Sequence, residues 1–370
     1  MDDFLKKFFI FLLIFLIFPK TIYANESNSI KSNDLHAKSA VLMDGDTGRV
    51  LYGKDENLPL ANASTTKILT CILTLEYGNL EDIVPVSSHA ASMPDVQLNI
   101  RKGETYYLKD LLYSLMLESH NDSAVAIAEY MEDHLSISHF YDLMNAKAKK
   151  IGCKNSHFVT PNGLDSGDHH TTATDLALIM RYCLKFSPKS KEFIEITRTT
   201  SHSFTDCAKK RSFTVNNHNA LLQMRAEAIS GKTGFTNKAG YCYVGAVKKD
   251  KKFFIVALLA SGWPPHKSYK WSDTTKLIDY GFKNYEFKQL TLPQAKLPLS
   301  LQVKPSSIYL LAKKDEDLNL SSTWTIFYPL KKDTKAVGWQ RWYLNQTLLI
   351  EKPIELKNPI NSEKSTKFDQ

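Results

Sequence analysis

The chain has 370 residues, 43% of them apolar and 23% charged, the composition of a folded globular protein with room for one large domain and a small one. Wholesale disorder is excluded. The net charge of +8 is spread along the chain without a nucleic-acid motif, so it suits an anionic envelope polymer or an acidic substrate, and nucleic acid is set aside as a partner.

The first seven residues, MDDFLKK, carry a short basic element. An apolar run from Phe8 to Phe18 follows, and PKTIYA ends at the small residue Ala24. A charged start, a short apolar run and a small residue spell a secretory signal peptide over residues 1–24. The run is shorter than the ~20 residues a spanning helix needs. Export out of the cytoplasm is therefore expected, and residues 25–36 read as a polar leader. SAVLMDGDTGRVLYGKD (39–55) alternates about a turn at 44–48, a hairpin pattern. Helical spacing follows over 64–78, stopped by Gly78, then over 106–118 and 123–135 with the polar break SHND between them. A further helix over 140–152 stops at Gly152. Residues 160–186 read as a Gly/Pro/Asn-rich loop and a helix capped near Thr174 or Asp175. GKTGFTNKAGYCYVGAV and KKFFIVALLASG read as strands, and 269–286 as a closing helix. Strands at both ends with helices between them predict an α+β domain: an antiparallel sheet built from both ends of the domain, with the helical middle packed on it.

After residue 287 the runs become short and alternating, with charged turns between them. This predicts a small β-rich domain over 287–358 and a polar tail over 359–370. The five cysteines, Cys71, Cys153, Cys183, Cys207 and Cys242, form no CxxC pair. A chain of this length needs no disulfide framework, and Cys71 and Cys183 fall in apolar helical runs as core residues. The patch at 168–170 is dense in histidine, but turn formers surround it. No metal-ligand spacing stands out, so neither metal nor cofactor is expected.

Three short motifs bear chemistry. Ser64 and Lys67 stand at i and i+3 on one helix face. The apolar run behind Lys67 would bury its amine, disfavour its charge and let it take a hydroxyl proton. Ser119-His120-Asn121 sits in the break between two helices, where a loop projects side chains into a cleft. Lys232-Thr233-Gly234 opens a strand. Each has an ordinary reading: a polar first turn, loop and cap residues, a tripeptide before a turn. The order S-x-x-K, S-x-N, K-T-G, each on a suitable element, is that of class A β-lactamases and penicillin-binding proteins.

With SAVLMDGDTGRVLYGKD, ANASTTKILT, SHNDSAVAIAE, FVTPNGLDSGDHHTTATDLALI, NHNALL and GKTGFTNKAGYC, residues 37–285 resemble the serine-type D-alanyl-D-alanine carboxypeptidases, the low-molecular-weight penicillin-binding proteins. The β-rich region resembles, less specifically, the second domain many of them carry. The resemblance implies a β-lactamase/transpeptidase-like catalytic domain over 37–286. It also implies peptidoglycan stem peptides ending in D-Ala-D-Ala as substrates, β-lactams as inhibitors, and hydrolysis without a cofactor. Ser64 would be the nucleophile, Lys67 the general base, and Ser119 the proton carrier to the leaving amine. Asn121 would hold substrate and Lys67. Lys232 would supply charge, Thr233 would bond the terminal carboxylate, and Gly234 would admit the substrate. The N–H groups of Ser64 and Phe235 would form the oxyanion hole.

Ser230 and Gly231 precede Lys232 where the family has an Asp-Gly-Ile/Val type run. His218 falls where some members have an arginine, so its role stays open. Many relatives end in an amphipathic anchoring helix; this chain ends in NSEKSTKFDQ, which leaves membrane attachment in doubt. Three alternatives remain: a β-lactamase, whose deacylating Glu would have to come from EDHLS at 132–136; a D,D-endopeptidase; and a non-catalytic wall-binding scaffold.

Overall fold

The computed structural model describes residues 30–294, 296, 301–304, 307–327 and 336–356. The expected signal segment 1–24, the leader as far as residue 29 and the polar tail 359–370 lie outside the described residues. Strands β1 (Ser39–Asp44) and β2 (Val50–Lys54) form the expected hairpin. Asp44 closes its turn by accepting the Asp46 amide at 2.9 Å and the Thr47 hydroxyl at 2.8 Å. The helix expected over 64–78 begins as a tighter 3-10 turn, Ala63–Thr66, and becomes α1 at Lys67–Tyr77. Ser64 therefore lies in the tight turn and not in the first α-turn. Nine consecutive residues of α1, Lys67 to Leu75, are buried, as an apolar run on all sides requires.

A two-stranded ribbon, β3 (Ile83–Pro85) and β4 (Thr105–Tyr107), brackets the short helix α2 (Ser88–Ala91). Next come α3 (Leu108–Leu117), α4 (Asn121–Leu135), α5 (Phe140–Ile151) and α6 (Ala173–Arg181). Helix α4 starts two residues before its expected position, so Asn121 is its first residue. The cap of α6 is Thr172 in place of Thr174 or Asp175; its hydroxyl accepts the Asp175 amide at 3.0 Å. Helix α7 (Ser190–Arg198), the hairpin β5 (Ser201–Thr205) with β6 (Ser212–Asn216), and the single turn α8 (Leu221–Met224) follow in a polar stretch for which no element was expected.

Strands β7 (Ala228–Thr236), β8 (Gly240–Lys249) and β9 (Lys252–Leu259) complete a five-stranded antiparallel sheet in the order β2-β1-β9-β8-β7. Both ends of the domain supply it, as the element order implied. Its pleat divides the strands between two layers. Val41, Met43, Ile255, Ala257 and Leu259 join the core shared with the helices. Leu42 and Phe254 face α9 (Tyr269–Asn284) from the other side, with Phe254 edge-on to Phe282 at 5.1 Å. Burial on both faces explains why FFIVALL, residues 253–259, is continuously apolar.

The β-rich region holds β10 (Tyr285–Thr291) paired with β12 (Ser307–Lys313). A second sheet follows the order β11-β15-β14-β13, from Leu301–Gln302, Thr347–Leu356, Ala336–Leu344 and Leu320–Ile326. The division expected at 286–287 falls inside β10. The first hairpin holds this region directly. Asp44 accepts the Leu311 amide at 3.0 Å, and Arg49 donates to the Leu311 carbonyl at 2.9 Å and pairs with Glu316. No helix among the described residues is long and apolar enough to cross a membrane.

The far end of α1 is pinned by a buried ion pair. Glu76 accepts from Lys147 Nζ at 2.5 Å, Tyr182 Oη at 2.7 Å and Ser187 Oγ at 2.6 Å. Burial works against this charge, but the bonds from Lys147, Ser187 and Tyr182 outweigh it and hold the carboxyl below its usual range. A depressed carboxylate stabilises the fold above its unfolded pKa, about 4.3, and loses that contribution as pH falls through the folded value. Glu76→Ala leaves Lys147 buried without its partner and should cost about 3–5 kcal/mol in urea unfolding at pH 7. The deficit relative to wild type should shrink below about pH 4. A cost under about 1 kcal/mol at pH 7 would show that the pin contributes little.

Candidate active site

Side-chain bonds lock the turn that carries Ser64. Asn62 Nδ2 donates to Thr65 Oγ1 at 3.2 Å and to Thr66 Oγ1 at 2.8 Å. Thr65 Oγ1 donates to the Asn62 carbonyl at 2.7 Å, and Thr66 Oγ1 to the Ala63 carbonyl at 2.9 Å. One turn on, Lys67 is fully buried, and its Nζ meets three oxygens: Ser64 Oγ at 2.8 Å, Asn121 Oδ1 at 2.8 Å and the Asn162 carbonyl at 2.7 Å. Burial pushes the Lys67 pKa well below the lysine range, the Lys232 charge pushes it further, and Asp122 opposes. A neutral amine has two N–H groups and one lone pair. It can donate to Asn121 and Asn162 while its lone pair faces the Ser64 hydroxyl.

Asn121 cannot turn away. Its Nδ2 donates to the carbonyls of Pro94 and Asp95, both at 3.1 Å, and its backbone N–H donates to Val96 at 2.7 Å. That leaves Oδ1 for Lys67. Ser119 sits at φ +73, in the left-handed region, at the kink between α3 and α4. Its Oγ is buried and has no hydrogen-bond partner. Between the two, His120 Nδ1 lies 2.8 Å from Ser114 Oγ and Nε2 lies 3.3 Å from Glu118. Burial lowers the His120 pKa, so its imidazole favours the neutral form.

The third motif lies inside β7 rather than at its start, and β7 is an edge strand of the sheet. Gly234 is pressed against the Ser64 turn: a Cβ there would stand 2.9 Å from the Ser64 nitrogen and 3.0 Å from that of Thr65. Only glycine allows this approach. Lys232 is buried, donates to the Thr233 carbonyl at 2.9 Å, and is pushed down to about 7 by burial. Thr233 is half-buried opposite Tyr243, and Phe235 is exposed with its ring 4.7 Å from that of Tyr241. His218 is exposed, with its amide bonded to the Leu117 carbonyl at 3.1 Å. Ser230 Oγ bonds Thr197 Oγ1 at 2.9 Å, which places this departure from the family run beneath the strand.

The structure thus brings Ser64, Lys67, Asn121 and the Gly234 backbone together directly. Lys232 joins them through its charge, and Ser119 through the chain beside Asn121. Sequence reasoning missed the Asn162 carbonyl, which no side-chain pattern reveals. It also missed Asp122, a buried carboxylate accepting the amides of Leu98, Ile100 and Ser123. Among the described residues no group of three or more His, Cys, Asp or Glu side chains is placed to hold a metal ion.

An amine that is buried, pushed toward its neutral form and 2.8 Å from a serine hydroxyl is suited to acyl transfer, and on this sheet-and-helix scaffold it marks the class of serine enzymes with the penicillin-binding, transpeptidase-like fold. Known proteins agree. Residues 26–261 match the family described as D-alanyl-D-alanine carboxypeptidase, peptidase S11. The D-alanyl-D-alanine carboxypeptidase DacF of Bacillus subtilis is 33% identical over 323 residues, 83% of this chain and 80% of that one. The crystal structure of a D-alanyl-D-alanine carboxypeptidase from Mycobacterium tuberculosis is 30% identical with a TM-score of 0.62, covering 70% of this chain and 95% of that one. The Streptomyces K15 DD-transpeptidase structure is 29% identical with a TM-score of 0.61, covering 67% and 98%. The chain belongs to the D-alanyl-D-alanine carboxypeptidase family.

Gly234→Ala should leave the fold intact but push β7 and the Ser64 turn apart. Acylation by a fluorescent penicillin should slow by about 10²-fold, with the thermal midpoint shifted little. Labelling at the wild-type rate would show that the close approach is not needed.

Proposed function

We propose that the protein hydrolyses the terminal D-Ala from peptidoglycan stem peptides ending in D-Ala-D-Ala, outside the cytoplasm, through a Ser64 acyl-enzyme. The observation that carries the reading is the Lys67 amine, fully buried and 2.8 Å from Ser64 Oγ. Neutral Lys67 takes the hydroxyl proton as Oγ attacks the carbonyl of the penultimate D-Ala. The oxyanion sits between the N–H groups of Ser64 and Phe235. Collapse breaks the peptide bond, and the leaving D-Ala amine receives a proton through Ser119, whose unpartnered buried hydroxyl supports that role. Water then attacks the ester, Lys67 takes its proton, and Ser64 is regenerated with release of the shortened peptide. Lys232 and Thr233 hold the terminal carboxylate, and Asn121 holds the substrate backbone. The open edge of β7 lets an extended peptide lie alongside it.

Phe235 is exposed at that edge. The basic and apolar pattern of residues 1–24 supports export. The β-lactamase alternative loses its candidate: Glu132 lies 11 residues along α4 from Asn121, about 16 Å by helix rise. There its carboxylate accepts the Phe140 amide at 2.7 Å, at the start of α5.

Incubation with a pentapeptide ending in D-Ala-D-Ala should release free D-Ala, and Ser64→Ala should release none. Release by Ser64→Ala at the wild-type rate would overturn the reading. Lys67→Arg keeps the cation but cannot give a neutral base, so acylation should fall by at least about 10³-fold at every pH. In wild type, acylation should rise with pH through the lowered Lys67 pKa and level off well below 10.4. A rise that continues past that value would mean Lys67 is not the group titrating.

A further inference from the structure

The 168–170 patch, which the metal reading left without a task, contains His169, and this residue touches both halves of the candidate site. It is 4% exposed. Its Nδ1 lies 3.0 Å from the Val159 amide and 3.3 Å from the Thr160 amide, so Nδ1 is an acceptor and the ring proton is on Nε2. Nε2 lies 2.9 Å from Thr66 Oγ1. That hydroxyl already donates to the Ala63 carbonyl and accepts from Asn62 Nδ2. The Nε2–H bond fills its second lone pair, so every hydrogen-bonding position around Thr66 is occupied. One imidazole therefore ties the Ser64 turn to the segment 159–162, which ends in the carbonyl that Lys67 faces. The two backbones meet closely: at Gly163, φ +82, a Cβ would stand 2.0 Å from the Ala63 carbonyl oxygen. Burial, then the charges of His157, His170 and Lys238, push His169 down to about 4, so it stays neutral over the range in which such enzymes are assayed. Asp168 spends its carboxylate on His157 and His170.

We propose that His169 is a positioning residue, which as the Nε2–H tautomer clamps Thr66 to the 159–162 segment and so sets the Asn162 carbonyl, Lys67 and Ser64 in register. It touches no substrate atom; it acts through Thr66 on one side and through two backbone amides on the other. The proposal rests on the reading of Ser64 as the nucleophile.

The test is acylation of the full chain by fluorescent penicillin over a concentration series, which separates the limiting rate from half-saturation. His169→Ala should lower the limiting rate by at least about tenfold and move half-saturation less than about threefold. Thr66→Val should lose a similar factor, and the double variant should be no slower than the worse single one. His169→Gln, which can still reach Thr66 with a donor, should recover part of the rate. Wild-type limiting rates in the single variants, losses that multiply in the double variant, or an effect confined to half-saturation would each overturn the proposal. A thermal melt accompanies every variant. If His169→Ala melts below the assay temperature, His169→Gln and Thr66→Val carry the test, and wild-type rates in both overturn it. Labelling that survives Ser64→Ala would instead remove the nucleophile reading, an outcome distinct from normal labelling of the His169 variants.

Discussion

Lys67 sits where water cannot hold its charge, and the rest of the site follows from that. A fully buried ammonium costs several kcal/mol unless it is paired, and the carboxylate closest to playing that part, Asp122, spends its oxygens on three backbone amides. The amine is thus driven toward neutrality, the form with a lone pair to use. It is not left unbonded, because Ser64 Oγ, Asn121 Oδ1 and the Asn162 carbonyl all lie within 2.8 Å. These oxygens come from three segments far apart in sequence. The fold has to hold three separate pieces of chain around one nitrogen, at hydrogen-bond tolerance.

The surrounding structure meets that demand through stiffness rather than strength. Helix α1 is buried along nine residues and pinned at its far end by the Glu76–Lys147 pair, so Lys67 has a fixed origin. Asn121 has its side-chain amide spent on the carbonyls of Pro94 and Asp95 and its backbone N–H on that of Val96, which removes the rotational freedom an asparagine would otherwise have at a helix start. On the sheet side, Gly234 lets the β7 backbone press against the turn without a side chain between them. Strand β7 is held by β8 on one side only, which leaves its other edge to the Ser64 turn.

Much of this was legible in the sequence because the elements with strong periodicity are the ones that carry the motifs. Pattern alone places the hairpin at 39–55, the apolar helix behind Lys67 and the strand pair after Lys232, and three weak motifs in a fixed order name Ser64, Lys67, Asn121 and Gly234, which the fold gathers together. What stayed hidden has physical causes. The Asn162 carbonyl is backbone, and any residue could have supplied it. Helix α7 and the β5–β6 hairpin lie in KSKEFIEITRTTSHSFTDCAKKRSFTVN, where Phe193, Ile196 and Thr197 do keep helical spacing, but exposed polar residues outnumber the buried ones and each strand offers a single buried side chain, Phe204 or Val215. The 3-10 turn at Ala63–Thr66 depends on hydroxyl and amide bonds among Asn62, Thr65 and Thr66, which hydrophobic spacing does not register. His169 looked like one of several histidines in a turn, because its partners are two backbone amides and a threonine.

The two buried lysines impose a last constraint. Lys67 and Lys232 each lose their ordinary pKa to burial, and the charge of Lys232 is a further cause of the shift at Lys67. With Lys232 held near 7, its charge state responds to whatever anion lies beside it. A carboxylate arriving at Lys232 favours its charged form, and a charged Lys232 disfavours charge on Lys67. In the proposed mechanism, an anion at Lys232 thereby reinforces the neutrality of Lys67. On the proposed reading, one charge for the two lysines, placed on Lys232, is what would let buried Lys67 act as a base without a carboxylate of its own.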